Sequence, residues 1–305
     1  MKNIFIHEVG PRDGLQIEKE TVPTETKIKW IKELTLSGID IIQIGSFVNP
    51  KRMPQMADTD ELFKYFNLPE NKLNNVTLAG LVLNDKGLDR GLACGVDMFC
   101  MGVSASNTHS QKNTGMTTDD ALITIIQMGK KAIDAGKKVQ VSVQSAFGCG
   151  FEGKIPKENV LRIIEKYVEA GFKNISLADT AGHAFPSQVE DLYNDVFNID
   201  KNLNMACHFH DTFGLGMANV YAAYKSGVNY FESSFAGLGG CPFTAVSSGN
   251  VCTEDMIHMF NRMGLRNDIL LDRVLNVTNM AQEFLKRPLP GIIYRTGKVP
   301  EIVKN

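Results

Sequence analysis

This sequence has no basic excess, no long apolar run, no paired-cysteine motif and no glycine fingerprint after its first strand-like segment. Lysine and arginine number 32 against 34 aspartates and glutamates, so no positive field exists to draw in nucleic acid or an anionic membrane surface. No stretch reaches the roughly 18 consecutive apolar residues of a helical membrane span. The six cysteines, Cys94, Cys100, Cys149, Cys207, Cys241 and Cys252, form no C-x-x-C pair, which argues against a closed zinc site or a disulfide scaffold. No G-x-G-x-x-G follows the first strand-like run, which speaks against a dinucleotide fold. Domain-scale linkers and low-complexity tracts are also lacking. The opening residues "MKNIFIHEVG" run straight into a strand-like pattern without an apolar leader. The expectation is a cytoplasmic protein with reduced thiols.

What is present is a regular alternation. The 305 residues are 43% hydrophobic and 22% charged, enough for a sizeable core. Eight short β-rich runs recur, at 4–9, 41–47, 77–83, 98–104, 139–145, 175–179, 205–210 and 230–235. Between them lie amphipathic segments such as 25–37, 121–135 and 157–170, and Gly38, Gly95, Gly136, Gly171 and Gly227 close helices just before the next strand. Eight strands alternating with helices predict an α/β fold, a (β/α)8 TIM barrel over residues 1–283, with an open doubly wound sheet as the alternative. The tail 284–305 is proline-rich without a clear period. It reads as a C-terminal extension able to cover the barrel mouth or a partner subunit.

In such a barrel the chemistry sits at the C-terminal ends of the strands. Strand 7 runs into "ACHFHDTFG", and alternation puts His208 and His210 on one face. Strand 1 ends in "EVGPRDGLQ", with Arg12 and Asp13; strand 6 ends in Asp179 and Thr180; strand 8 enters a glycine-rich loop carrying Cys241 and Asn250. Two imidazoles facing a carboxylate make a mixed N/O donor set suited to Mg²⁺ or Mn²⁺, with Zn²⁺ or Co²⁺ as alternatives. Taken alone, an H-x-H pair is also what a strand uses to satisfy core hydrogen bonds, and Arg12–Asp13 is equally an ordinary ion pair.

Taken together, six segments resemble the 3-hydroxy-3-methylglutaryl-CoA lyase family of the DRE-TIM metallolyases. They are "EVGPRDGLQIEKE", "SFVNPKRMPQMAD", "GCGFEGKI", "SLADTAG", "HFHDTFG" and "AGLGGCPF" followed by "SGNVCTED". The resemblance implies a divalent metal held by Asp13, His208, His210 and Asn250. It implies that Arg12 stabilises charge on oxygen, that Cys241 closes over the substrate, and that Asp179 is an acid/base or orienting carboxylate. It places Asn113 against an acyl-CoA and implies a homodimer. The reaction implied is a retro-aldol or retro-Claisen cleavage of a 3-hydroxyacyl-CoA, with His208 or Cys241 protonating the enolate. Condensing relatives carry a longer C-terminal region, so the cleaving direction is expected.

The match departs from the family at three places. The resemblance implies Glu where this chain has Gln43, and Arg and Tyr on strand 5 where it has Gln140 and Ser142. Gln43 can still hold Arg12, but a neutral acceptor makes a weaker bond than a charged one. Three changes pointing into one mouth suggest a changed substrate, read by Arg12, Asn113, Gln140, Ser142 and Thr180. The alternatives are a related aldolase or acyl transferase and a weakly active ligand-binding homologue.

Overall fold

A computed structural model describes residues 4–240 and 249–299. Eight parallel strands pair in chain order and close on themselves: β1 (Phe5–Glu8), β2 (Ile41–Ser46), β3 (Thr77–Leu81), β4 (Met98–Ser104), β5 (Lys138–Gln144), β6 (Asn174–Asp179), β7 (Asn204–Phe209) and β8 (Tyr230–Ser233). Because β8 pairs back onto β1, the expected barrel forms and the open sheet is excluded.

Alternation along each strand sorts the side chains. Outward-facing Ile42, Ile44, Phe99, Val141, Leu177 and Phe231 are fully buried against the surrounding helices. The helix Thr24–Leu36 contributes Trp30, Ile31 and Leu34 to this layer, and Lys157–Glu169 contributes Val160, Ile163 and Ile164. Each such side chain contributes about 1.5–3 kcal/mol on leaving water, so this shell holds the fold. The helices stop where the sequence says. All five closing glycines have φ between +74° and +95°, a region that costs a residue with a Cβ.

The inward face is different in kind. Register pairs His7 with Glu232 and His208 with Glu232, and Ser176 of β6 donates to Glu232, so β1, β6, β7 and β8 bring polar groups to one level of the barrel. Gln43 of β2 and Gln140 of β5 join them from the other side.

Strand ends differ from the sequence expectation where the chain turns to build this mouth. Val9 leaves β1 because its carbonyl accepts from Arg12, Asp13 and Gly14 N–H groups, coiling Gly10–Gly14 into a π-helical turn. β8 stops at Ser233 because Phe235–Gly237 forms a tight turn with Ala236 at φ +60°. His210 lies one residue past β7, in a single bridge to Asn250. The tail is less irregular than its composition suggests. The helix Leu271–Leu285 runs past Glu283, Leu289 is buried, and Gly291 N–H bonds the carbonyl of Ala236. The tail thus braces the turn that opens the glycine-rich segment.

Candidate active site

The π-helical turn after β1 carries Arg12 and Asp13 over the barrel mouth. Arg12 donates from Nε to Gln43 Oε1 and from a terminal nitrogen to Asp13 Oδ1, which also accepts from Gln16 at 2.9 Å. Opposite, His208 and His210 turn their Nε2 atoms toward one another at 3.3 Å, and His208 Nε2 lies 3.8 Å from Asp13 Oδ2. One donor atom from each of Asp13, His208 and His210 lies within 4.8 Å of the others. The expected fourth member also arrives. Asn250 Nδ2 donates to Asp13 Oδ2 at 2.8 Å and to the Leu238 carbonyl at 2.9 Å. Its buried Oδ1 has no hydrogen-bond partner among the described residues. Gly239 permits this approach, since a Cβ there would fall 2.5 Å from Asn250 Nδ2.

This donor set fits a divalent cation. A buried carboxylate, two imidazole nitrogens aimed at one point and an unsatisfied amide oxygen are what a hard or borderline cation binds, and each is costly to leave unpaired in a protein interior. Charge supports the fit. Asp13 is held at about 2, burial being outweighed by Arg12 and the two histidines. His210 is lowered to about 4 by burial and by neighbouring His208. Both groups are therefore in their ligating form at neutral pH.

The sequence reading missed Glu232. It stands at the inward position of β8, buried, on the floor beneath the histidines. Its Oε2 lies 3.0 Å from His208 Nδ1; its Oε1 accepts from Ser176 at 2.7 Å and from Gln140 Nε2. Burial would raise its pKa, but His208 and its other partners hold it at about 2. The same contact raises His208 against the opposing effect of burial. A carboxylate behind a ligating imidazole fixes the tautomer and the ring orientation. The signal was available: an ionisable residue on the inward parity of "YFESSF".

A cavity of about 290 Å³ opens above this cluster, lined by Arg12, Gln43, Asn113, Gln140, Ser142 and Thr180 among others. The expected substrate-facing residues therefore meet, with Asn113 at the exposed rim on the helix Asn107–Thr114. Thr180 Oγ1 also accepts from Ser145 N–H at 2.9 Å, and so fixes the strand ends. Asp179 requires a correction. It has the opposite parity to Ala178 and Thr180, is fully buried, and accepts from the N–H groups of His183 and Ala184 at 2.8 and 3.2 Å. It supports the turn after β6 from behind the wall and does not line the cavity. The orienting half of its expected role fits this geometry and the acid/base half does not, although burial raises it to about 7. Cys241 lies outside the described residues. The other five cysteines are buried and unbridged.

Two further buried carboxyls hold the rim. Glu8 accepts from the N–H groups of Gly10 and Phe235 and from the Thr253 hydroxyl, while Glu254 accepts from Ala236 N–H and the Thr278 hydroxyl. They pin the turn after β8 from both sides.

Comparison with known proteins agrees with this geometry. The HMGL-like family matches residues 3–281. A hydroxymethylglutaryl-CoA lyase of Bacillus subtilis is 37% identical over 290 residues, 95% of this chain and 96% of the relative. An (R)-citramalyl-CoA lyase of Chloroflexus aurantiacus is 33% identical over 99% of this chain and 98% of the relative. The structure of an HMG-CoA lyase from Acinetobacter baumannii, in complex with coenzyme A and 3-methylmalate, superposes with a TM-score of 0.90 at 34% identity, covering 98% of this chain and 96% of that one. No helix among the described residues is long and apolar enough to cross a membrane. A closed parallel barrel with a carboxylate–bis-imidazole cluster at its mouth, matched by family over most of its length, places this chain in the HMGL-like family as a carbon–carbon lyase.

Proposed function

We propose that this enzyme cleaves a 3-hydroxyacyl-CoA, 3-hydroxy-3-methylglutaryl-CoA or a close analogue, into acetyl-CoA and a keto product. The carrying observation is the convergence of Asp13, His208 and His210, with the unpartnered Asn250 oxygen, beside Arg12 at the mouth of one cavity. Those four residues would hold Mg²⁺ or Mn²⁺. When bound, the cation makes a tertiary hydroxyl more acidic and polarises a neighbouring carbonyl.

The rest follows from the chain's own groups. Arg12, braced by Gln43 and Asp13, presents its guanidinium where negative charge develops on oxygen; such preorganised stabilisation is usually the largest catalytic contribution. Removal of the hydroxyl proton lets the C2–C3 bond break, giving a carbonyl on one fragment and a thioester enolate on the other. A proton delivered to the enolate carbon completes acetyl-CoA. The candidate donors are His208, whose pKa Glu232 raises against the opposing effect of burial, and Cys241. Asn113 at the rim suits the thioester arm. We also infer a cytoplasmic homodimer, in which Leu289 and Gly291 support the β8 turn.

The test is product detection by mass spectrometry. Purified protein with Mn²⁺ is incubated with 3-hydroxy-3-methylglutaryl-CoA, (R)-citramalyl-CoA and other 3-hydroxyacyl-CoA esters, with and without chelator. Acetyl-CoA release abolished by the chelator supports the reading; no cleavage of any ester sinks it.

A further inference from the structure

The interior of a (β/α)8 barrel is normally filled by layers of bulky branched side chains. Near the mouth of this one, the inward positions of β4, β5 and β6 hold only Gly102, Ser142 and Ala178. Gly102 and Ser142 are register partners, and a Cβ on Gly102 would fall 1.9 Å from Ser142 Oγ. The serine thus leans onto the glycine, with its hydroxyl directed at the Met101 carbonyl 3.5 Å away. Leu81, Ser142 and Ala178 keep part of their surface free, while the outward residues beside them, Val82, Val141, Val143 and Leu177, are fully buried. A partly free side chain inside a closed barrel faces the cavity, and all three line it. Beneath them Ile41, Ala79, Met98 and Cys100 form a small apolar cluster, against which Leu81 packs. The polar neighbour Gln140 is taken up by Glu232 and His7. The result is a hollow between β3 and β6 with an apolar floor.

The chemistry stands on the other side. Among the described residues lining the cavity, those with carboxylate or guanidinium groups are Arg12 and Asp13 after β1 and Glu232 on β8, and the paired imidazoles come from β7. A substrate held there by its oxygens turns the remaining substituent of its carbinol carbon toward β3–β6. We propose that the hollow is an alkyl pocket: the enzyme takes 3-hydroxy-3-alkylglutaryl thioesters with alkyl groups longer than methyl, the methyl compound being the smallest of the series. The hydroxyl, the thioester carbonyl and the glutaryl carboxylate stay at the mouth with Arg12 and the metal-binding donors. This rests on the lyase reading and names its substrate class. The cleavage itself is unchanged: the C2–C3 bond breaks, the hydroxyl loses its proton, the enolate carbon gains one, and the alkyl group leaves on the 3-oxo acid.

The experiment uses thioesters that lack the 3-hydroxyl and cannot be cleaved, so binding is measured apart from chemistry. Calorimetry on the Mn²⁺-loaded protein compares 3-propylglutaryl-CoA with 3-methylglutaryl-CoA. A buried methylene is worth about fourfold in affinity, so the propyl ester should bind about tenfold tighter. Ser142→Leu fills the hollow and should bring the ratio to one or below. Leu81→Ala widens it from the opposite wall and should extend the preference to 3-pentylglutaryl-CoA. Each variant is judged by the ratio of two esters, which a general loss of binding does not move. Equal or tighter binding of the methyl ester by the wild-type protein overturns the proposal, as does failure of both esters to bind. A ratio unchanged by both substitutions overturns the assignment to this hollow. Turnover of the matching 3-hydroxy esters is followed in parallel. If binding keeps the predicted ratio while neither ester is cleaved, the lyase reading fails and the alkyl pocket stands.

Discussion

The two sides of the barrel mouth solve one problem with opposite electrostatics. On the β1–β2 side a permanent cation, Arg12, is braced by a neutral amide, Gln43. On the β7–β8 side a titratable ring, His208, is braced by a carboxylate, Glu232. Both groups also touch a carboxylate, but in different places: Arg12 donates to Asp13, which is itself one of the converging donors, whereas Glu232 stands behind the His208 ring and is not one of them. A charged acceptor behind the ring is what keeps the aim of its lone pair. On the other side the neutral brace leaves the guanidinium to share its charge between Asp13 and the substrate.

The largest effect should follow from removing a group at the cluster itself. His208→Ala deletes one of three converging donors and should lower kcat/KM by about 10³-fold or more while reducing bound metal; metal stoichiometry by mass spectrometry checks it, and an unchanged stoichiometry would remove His208 from the site. Arg12→Ala should cost about 10²–10³-fold in kcat with metal content retained. The pair of variants separates the two sides of the mouth by what each holds.

Behind the ligands the contrast should persist at smaller scale. Glu232→Gln keeps the shape but frees the His208 ring, and should weaken Mn²⁺ affinity by about 10–100-fold, read by chelator competition. Gln43→Glu does the reverse on the other side, giving Arg12 a charged brace. Its effect on Mn²⁺ affinity should be less than about threefold, because Gln43 touches Arg12 and none of the converging donors. A loss from Gln43→Glu as large as that from Glu232→Gln would erase the distinction between the sides.

What the sequence made legible follows the same division. The barrel was readable because alternation and glycine stops are local signals, and parity alone put His208 and His210 on one face. Asp13 and Arg12 were placed by their position at a strand end. Glu232 was not found, because its role depends on register: only the pairing of His208 with Glu232 and of His7 with Glu232 puts its carboxylate beneath the ring. Asp179 was read only in part, its orienting role fitting and its acid/base role not, for the complementary reason. A strand-end carboxylate in a matching motif looks catalytic until parity sends it behind the wall. The β8 turn was unreadable because Ala236, a residue with a Cβ, adopts a positive φ there, held by contacts from Glu254 and the tail that are distant in sequence.

Those rim contacts carry the smallest expected effect, on stability and not on turnover. Burial raises Glu8 to about 8 and Glu254 to about 7. A carboxyl whose folded pKa lies above its ordinary value stabilises the fold fully below about 4.5, and loses that contribution as pH climbs through the folded value. His7 and His210, both lowered to about 4 by burial, act with the opposite sign. Their contribution is present above about 6.5 and lost as pH falls toward 4, so the two pairs offset between about 4.5 and 6.5. From about 6.5 to 8 the carboxyls act without that offset, and the metal-free protein should lose stability by up to about 1.4 kcal/mol per pH unit for each group still titrating. Glu8→Gln removes one of the two. Urea unfolding at pH 6.5 and pH 8 should therefore show a shallower decline for the variant than for the wild type. A decline of equal slope in both proteins would mean that Glu8 stays ionised against its backbone donors, and that the turn after β8 is held by a charge like the one beneath His208.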